Sequence, residues 1–408
     1  MTATKTRRGR TVTEPPHVAL IVETSSAYGR DLLSGVARFV RENGPWMMYL
    51  ASRSLDDPPP SWLEGWDGQG IISRASDPVS AGLVKRAGVP TVDLNDQLPD
   101  GTLPAMRSDD VAIGRMAFRH LAERGFTRFA FFGYPVFQWS LRRRDGFLDA
   151  VRAAGHDPHE YQPPRRASRG HRLPSWEEEM DGVARWLAGL PKPLGLMACN
   201  DFRGMQALDA CRRAGVAVPE EVAVIGVDNE PFTHELAHPP LSSVIPDARR
   251  IGFEAAALLA RLMAGGLAES TRVAVPPLGV ATRQSTDVVA IADPGVADAL
   301  RFIRENACQG ISVEDVLDRV VTSRSALQRA FRKHLDRTIH EEILGVRLHR
   351  VKQLLAETEL PLRAIADRAG FAYVEYLSAV FRRTTGQTPG AYRRQFSPTA
   401  DSPTADAP

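Results

Sequence analysis

"RAIADRAGFAYVEYLSAVFRRTTGQTP", residues 363–389, reads as a short helix that stops at Gly370, turns, and restarts as a helix heavy in arginine. Leu362, Ile365 and Ala366 mark the buried side of the first helix, and Leu377, Val380 and Phe381 that of the second. A looser copy, "SVEDVLDRVVTSRSALQRAFRKHLDRT", stands at 312–338. There Val313, Val316, Leu317 and Val320 mark one short helix, and Val321-Thr322-Ser323 the turn, with Ser323 as N-cap. Ala326, Leu327, Ala330, Phe331 and Leu335 form the apolar stripe of the helix after it. Residues 324–337 hold five Arg/Lys (324, 329, 332, 333 and 337) against one acid, Asp336; residues 382–394 hold four arginines (382, 383, 393 and 394) and no acid.

A helix laid in a DNA major groove needs cations for phosphates and forked Arg or Gln donors for base edges. One basic helix face decides nothing, because solvated charge runs are common. Two helix-turn-helix units, each with its basic face on the second helix, are a far more specific coincidence. Between them "TIHEEILGVRLHRVKQLLAET", 338–358, is a continuous helical pattern. At ~1.5 Å per residue it spans about 30 Å, which suits two recognition helices one turn of B-DNA apart, ~34 Å. The "IHEEIL" within it is no zinc-hydrolase motif, since Leu344 stands four positions after His340.

Upstream, the rhythm changes. The chain has 408 residues, 43% of them hydrophobic, enough for two or three cores. Its net charge of +2 says little about partners. Three scattered cysteines (Cys199, Cys211 and Cys308) fit reduced thiols rather than a disulfide framework. The basic N-terminus lacks an apolar h-region and no run is long enough to cross a membrane, so a cytoplasmic protein without membrane association is expected. Residues 1–16 read as a disordered basic tail and 397–408 as a second tail.

"HVALIVE", "WMMYLAS", "GQGIISR", "VPTVDLN", "RFAFFGY", "PLGLMACN" and "VAVIGVDN" read as strands apolar on both faces, alternating with one-striped helices. This predicts α/β architecture: two doubly wound parallel units, roughly 17–107 and 108–237, then a helix at 247–264 and one closing strand, "RVAVPPLGVAT". Residues 155–180 read as an exposed insertion loop. After a linker at 286–293 every segment to 396 is helical in period, so a two-lobed domain at 17–285 and an all-α domain with two helix-turn-helix units at 294–396 are expected.

Doubly wound domains bind ligands at the C-terminal ends of their strands. Those ends supply Ser25, Ser26, Tyr28, Asp93, Asn200, Asp201, Asp228 and Asn229, with Arg143 and Trp139 beside them. Carboxylates, amides and a guanidinium around an aromatic ring are what a polyhydroxylated ligand needs. For each residue taken singly, a capping or surface role is an equal alternative. "GWDGQG" is neither a dinucleotide fingerprint nor a phosphate loop, no nucleophile elbow occurs, and neither an enzyme nor a cofactor is expected.

The last hundred residues resemble the AraC-type DNA-binding domain, through "SRSALQRAFRKHLDRT", "EEILGVRLHRVKQLL", "IADRAGF" and "FRRTTGQTPGAYRR". The resemblance implies base contacts from Ser325, Gln328 and Arg329, flanked by Arg324 and Arg332. In the second unit Val374, Glu375, Ser378 and Ala379 occupy the reading positions. Many members carry arginine where Ala379 stands, which shifts the expectation there toward phosphate contacts from Arg382 and Arg383. Gly345 is a second departure, inside the linking helix.

Residues 17–285 resemble the periplasmic-binding-protein-like sensor of lac-repressor-type regulators, in which "R-x-x-G-F", "ND" and "G-x-D" supply sugar contacts. That implies Arg143, Asn200 and Asp228, with Asp93 and Tyr28 as further ligand residues; Trp139 joins them through its place beside Arg143. A sensor of this kind ahead of an AraC-type reader is the layout of the xylose-operon regulator subfamily. The expectation is a transcription regulator controlled by a small sugar, such as xylose or another pentose, with duplex DNA as partner, a homodimer, and RNA polymerase as a further candidate partner. Two alternatives stay open: the same architecture sensing a non-sugar metabolite such as a nucleobase, and a sugar-binding or sugar-converting protein with no DNA role. Arg143→Ala and Asp228→Ala are expected to abolish the ligand response without harming the fold.

Overall fold

The continuous apolar runs become strands of two separate sheets in the computed structural model, which describes residues 14–54, 57–75, 78–95, 103–162, 176–266, 272–288, 293–320, 323–335, 337–358 and 360–394. The elements are, in order, β1 (His17–Ile21), α1 (Ala27–Asn43), β2 (Met47–Leu50), β3 (Gly70–Ser73), α2 (Pro78–Arg86), β4 (Thr91–Asp93), β5 (Ala105–Ser108), α3 (Asp110–Ala122), β6 (Phe129–Phe132), α4 (Gln138–Ala153), β7 (His159–Glu160), α5 (Trp176–Gly189), β8 (Leu194–Ala198), α6 (Asp201–Arg213), β9 (Val222–Val227), α7 (Pro231–Leu236), β10 (Ser242–Ile245), α8 (Ala248–Met263), β11 (Arg272–Val275) and β12 (Gly279–Ala281). Helices alone follow among the described residues: α9 (Pro294–Asn306), α10 (Val313–Arg319), α11 (Arg324–Leu335), α12 (Ile339–Glu357), α13 (Leu362–Arg368), α14 (Val374–Thr385) and α15 (Pro389–Arg394). The chain divides into two compact units, 1–288 and 289–408.

The first unit has two lobes. One is an all-parallel sheet in the order β11-β5-β4-β3-β1-β2, with His17 opposite Met47 and Val18 opposite Gly70. The other is ordered β12-β10-β9-β8-β6-β7, parallel except where β12 runs against β10. Val18, Leu20 and Ile72 meet Leu32, Val36, Ile251 and Leu259 of α1 and α8 in the first core. Leu194, Leu196, Val222 and Val224 meet Met180, Val183 and Leu187 of α5 and Ala207 and Cys211 of α6 in the second. Strand β2 lies at a sheet edge, and its four apolar residues are exposed.

The expected class of fold is present, with corrections in its path. The lobes are not successive segments: α8 packs on α1 and on β3, β4 and β5, so the chain returns to the first lobe after β10. "RVAVPPLGVAT" is two strands in different sheets, because Pro276-Pro277 offers no amide hydrogens to a ladder. The chain therefore passes between lobes three times: at Asp109, at 246–247 and at 276–278. Strands β5 and β10 were too short and polar to be read from sequence. The loop expected over 155–180 contains β7 and the start of α5; its residues 163–175 lie outside the described residues. So do 289–292 of the expected linker and nearly all of both expected tails.

Where the first unit ends, the chain is fastened to the second lobe. Arg283 donates to the Leu241 carbonyl, Ser285 to the Val224 carbonyl, and Thr286 Oγ1 lies 2.7 Å from Ser242 Oγ. Buried His120 reaches Thr286 Oγ1 at 2.8 Å, while Arg124 donates to its Nδ1 at 3.1 Å. Since arginine can only donate, the His120 proton sits on Nε2. Burial, and then the charge of Arg124, push the His120 pKa down to about 4 from an ordinary 6.5. Between those values the unfolded chain binds a proton that the folded one refuses, so stability rises with pH across this window. Acidification from pH 6.5 to 4 is expected to cost about 3 kcal/mol through this group. Urea titrations of wild type and His120→Gln should differ in slope over that window alone.

Candidate ligand cleft and nucleic-acid interface

The spacing "R-x-x-G-F" has a packing cause. Trp139, Arg143, Gly146 and Phe147 share the buried face of α4. A Cβ on Gly146 would sit 2.3 Å from the Val111 carbonyl oxygen, and one on Gly114 would sit 2.3 Å from that of Arg143. The two glycines let α3 and α4 cross at backbone contact, and this brings Asp110, in the first turn of α3, against Arg143. Arg143 donates from Nε to Asp110 at 3.0 Å, from Nη1 to the Cys199 carbonyl at 2.7 Å, and from Nη2 to Asp228 at 3.3 Å. Asp110 also takes Arg142 at 3.2 Å.

Asp228 and Asn229 follow β9 with φ of 99° and 49°, a left-handed stretch that non-glycine residues adopt at a cost. Their partners hold them there. Asn229 accepts from Arg283 at 2.6 Å and donates its N–H to Ser243 at 2.9 Å. Burial raises the Asp228 pKa against the pull of Arg143 and Arg74. Arg143 itself is held above its ordinary pKa: burial works against the charge, and Asp228 with Asp110 outweighs it. Asp201 is raised well above the usual carboxylate range by burial and then by Asp228. It accepts from Ser243 Oγ and from the Glu230 N–H, both at 2.7 Å.

These groups line a cleft of about 280 Å³ between the lobes. Of the ligand residues expected from sequence, Tyr28, Trp139, Arg143, Asn200 and Asp228 come together on its wall. Asp93 does not; its carboxylate accepts from the Asn95 N–H at 2.9 Å in the turn after β4. Asn200 lines the cleft and also caps α6, its side-chain oxygen accepting from the Arg203 N–H at 3.0 Å. Trp139 is stacked on Phe137, and the Arg143 guanidinium lies 4.9 Å from its ring centre.

Sequence reasoning missed Glu23, Arg74 and Glu230. Glu23 and Arg74 are buried and ion-paired, with the Arg74 guanidinium 4.7 Å from the Tyr28 ring centre. Glu230, from the second lobe, accepts from the Ala27 N–H at the start of α1 in the first, and from Arg30 at 2.9 Å. Each follows directly on a strand end or a named motif, but its partner lies 51 to 203 residues away. Glu23 Oε2, Arg74 Nε and Trp139 Nε1 are buried with no hydrogen-bond partner among the described residues. Such orphaned groups call for a bound molecule or water.

In the second unit, Ile365, Ala366, Leu377, Val380 and Phe381 are buried with Leu344, Leu348, Val351 and Leu355 of α12. Ser323 caps α11 by accepting from the Ala326 N–H; Val321 and Thr322 of that expected turn lie outside the described residues. Arg324, Ser325, Gln328, Arg329 and Arg332 are exposed along α11. Glu375, Arg382 and Arg383 are exposed along α14, and Ser378 partly so. Tyr373, 72% exposed, and Tyr376, 45% exposed, extend that surface and were missed, because tyrosine reads as core in an apolar stripe. The "HEE" run belongs to a capping box: Thr338 and Glu341 satisfy each other's backbone N–H groups at the start of α12. Helix α12 is continuous through Gly345.

Gly370, at φ +73°, makes the turn between α13 and α14, and a Cβ there would sit 2.7 Å from the Ala307 carbonyl oxygen. Gly370→Ala should cost about 1–2 kcal/mol from left-handed backbone alone, with crowding against Ala307 added. Chemical denaturation monitored on the second unit measures it.

Residues 118–286 match the family model of a periplasmic binding protein-like domain, and residues 316–395 that of a helix-turn-helix domain. The chain is 30% identical over 384 residues to the xylose operon regulatory protein of Haemophilus influenzae, covering 92% of this chain and 97% of that protein. It is 32% identical over 391 residues to the protein of the same name from Escherichia coli K12, covering 93% and 97%. A solved structure of a xylose-binding transcription activator, xylR, superposes with a TM-score of 0.79 at 31% identity, covering 94% of this chain and 99% of that one.

Proposed function

Because this chain belongs to the family of xylose operon regulatory proteins, AraC-type regulators with a periplasmic-binding-protein-like sensor, we propose that a neutral sugar, with xylose or another pentose first in line, closes between its lobes. The protein is a sugar-responsive, DNA-binding transcription regulator and not an enzyme. The charge pattern of the cleft supports the choice of ligand. Its lining holds four carboxylates (Glu23, Asp201, Asp228 and Glu230) to two guanidiniums, Arg74 and Arg143, both already ion-paired. With both of those guanidiniums taken, a phosphate or a carboxylate on the ligand would meet no free cation among these lining residues, whereas hydroxyls can both donate to the acids and accept from Arg74 and Trp139.

Residues 17–285 act as the sensor, 286–293 as linker and 294–396 as the DNA reader. Arg143, Asn200, Asp228, Tyr28 and Trp139 contact the sugar, with Glu23 and Arg74 added. On DNA, Ser325, Gln328 and Arg329 read bases, and Arg324, Arg332, Arg382 and Arg383 hold phosphates, beside Glu375 and Ser378. The protein works in the cytoplasm as a homodimer that engages RNA polymerase; the exposed apolar edge of β2 supports self-association. By linkage, the sugar alters DNA affinity only as far as it prefers one arrangement of the lobes.

A thermal-shift panel of pentoses, hexoses, sugar acids, sugar phosphates and nucleobases tests the ligand. Stabilisation by a neutral sugar is the expected result; stabilisation by an acid, a phosphate or a nucleobase instead would replace this reading. Sedimentation velocity reports the dimer.

A further inference from the structure

We infer that the cleft takes, beside the neutral sugar it clamps, a second ring carried on that sugar's outer side, and holds such a two-ring ligand more tightly than the sugar alone. This rests on the neutral-sugar reading above and adds the length of the ligand to it. Five aromatic residues line the cleft: Tyr28, Tyr134, Phe137, Trp139 and Phe202. Three of them already have a guanidinium over the ring: Arg74 on Tyr28 at 4.7 Å, Arg203 on Tyr134 at 4.2 Å and Arg143 on Trp139 at 4.9 Å. Tyr28 and Trp139 thus pack on the ion-paired guanidiniums of the cleft, and Tyr134 on an arginine outside its lining. Phe137 and Phe202 have no guanidinium over them among the described residues, and neither has a polar atom.

Phe202 stands in the first turn of α6, immediately after the cleft residues Asn200 and Asp201. It is 38% exposed and makes an edge contact with Phe232, 40% exposed, at a centroid distance of 5.6 Å. Two large apolar rings left this open beside a polar cleft offer a face that hydroxyl groups do not need. The C–H face of a second sugar ring, or an aryl ring, would cover it.

Isothermal titration of the full-length protein with matched sets tests this: xylose, xylobiose and phenyl β-xyloside, and glucose, cellobiose and phenyl β-glucoside. In at least one set a two-ring ligand should bind roughly tenfold tighter than its monosaccharide. Which of the two wins separates a sugar from an aryl second ring. Phe202→Ala should bring that ratio close to one, and Phe202→Trp should keep it, which separates loss of the platform from misfolding. Monosaccharides binding as tightly as both partners, or a ratio unmoved by Phe202→Ala, would overturn the two-ring ligand and leave the neutral-sugar reading standing. Failure of every sugar to bind overturns both.

Discussion

Arg143→Ala is expected to remove the ligand response and about 3–5 kcal/mol of stability together, the range for breaking a buried ion pair from one side. The loss follows from the geometry. Asp110 and Asp228 both lose their buried cation, the Cys199 carbonyl loses its donor, and the strained Asp228–Asn229 turn loses one of its holders. Those contacts argue against the expectation from sequence that this substitution spares the fold: the guanidinium is a keystone between α3, β8 and β9, beside the ligand role proposed for it. Arg143→Lys keeps the charge but not the three-way fork, and should recover part of the stability without the sugar response. Urea denaturation with and without sugar separates the two effects. A variant as stable as wild type would refute the clamp.

The second large effect is expected on DNA. Gln328→Ala combined with Arg329→Ala should lower discrimination at one half of the operator by ~1–3 kcal/mol for each bidentate side chain–base pairing removed. Binding to unrelated DNA should change far less. Arg382→Ala with Arg383→Ala should behave in the opposite way, weakening all sequences alike and flattening the dependence of log K on log salt by roughly one for each phosphate released. Fluorescence anisotropy on specific and scrambled duplexes at several salt concentrations checks both pairs. If the first pair altered only the salt slope, α11 would hold phosphates rather than read bases.

The sequence was most legible where one physical rule acts locally. Stretches such as "VALIV", 18–22, and "VAVIGV", 222–227, are apolar at every position because both faces are covered, and Leu377, Val380 and Phe381 mark a helix by spacing alone. Strands β5, "AMRS", and β10, "SSVI", carry no such signal; they are strands because neighbours flank them in the sheet. Helix α5 was concealed by the proline-rich run ahead of it, although Met180, Val183, Ala184 and Leu187 have helical spacing.

The same contrast holds in the cleft. Reading strand ends found Tyr28, Asn200 and Asp228, since position along a strand is a local property. It also gave Asp93, whose carboxylate is taken up by its own turn, because strand ends do not reveal which way a side chain faces. Glu23, Arg74 and Glu230 matter through partners brought close only by the folded sheets and by the meeting of two lobes, and no spacing encodes that.

The three passages of the chain between lobes limit how the sensor can move. Halves joined by a single thread could swivel freely; three crossings leave the lobes fewer relative motions. The last stitches of the sensor, Arg283, Ser285 and Thr286, are sewn into the second lobe only. Residues 283–286 therefore travel with the second lobe, whatever the first lobe does.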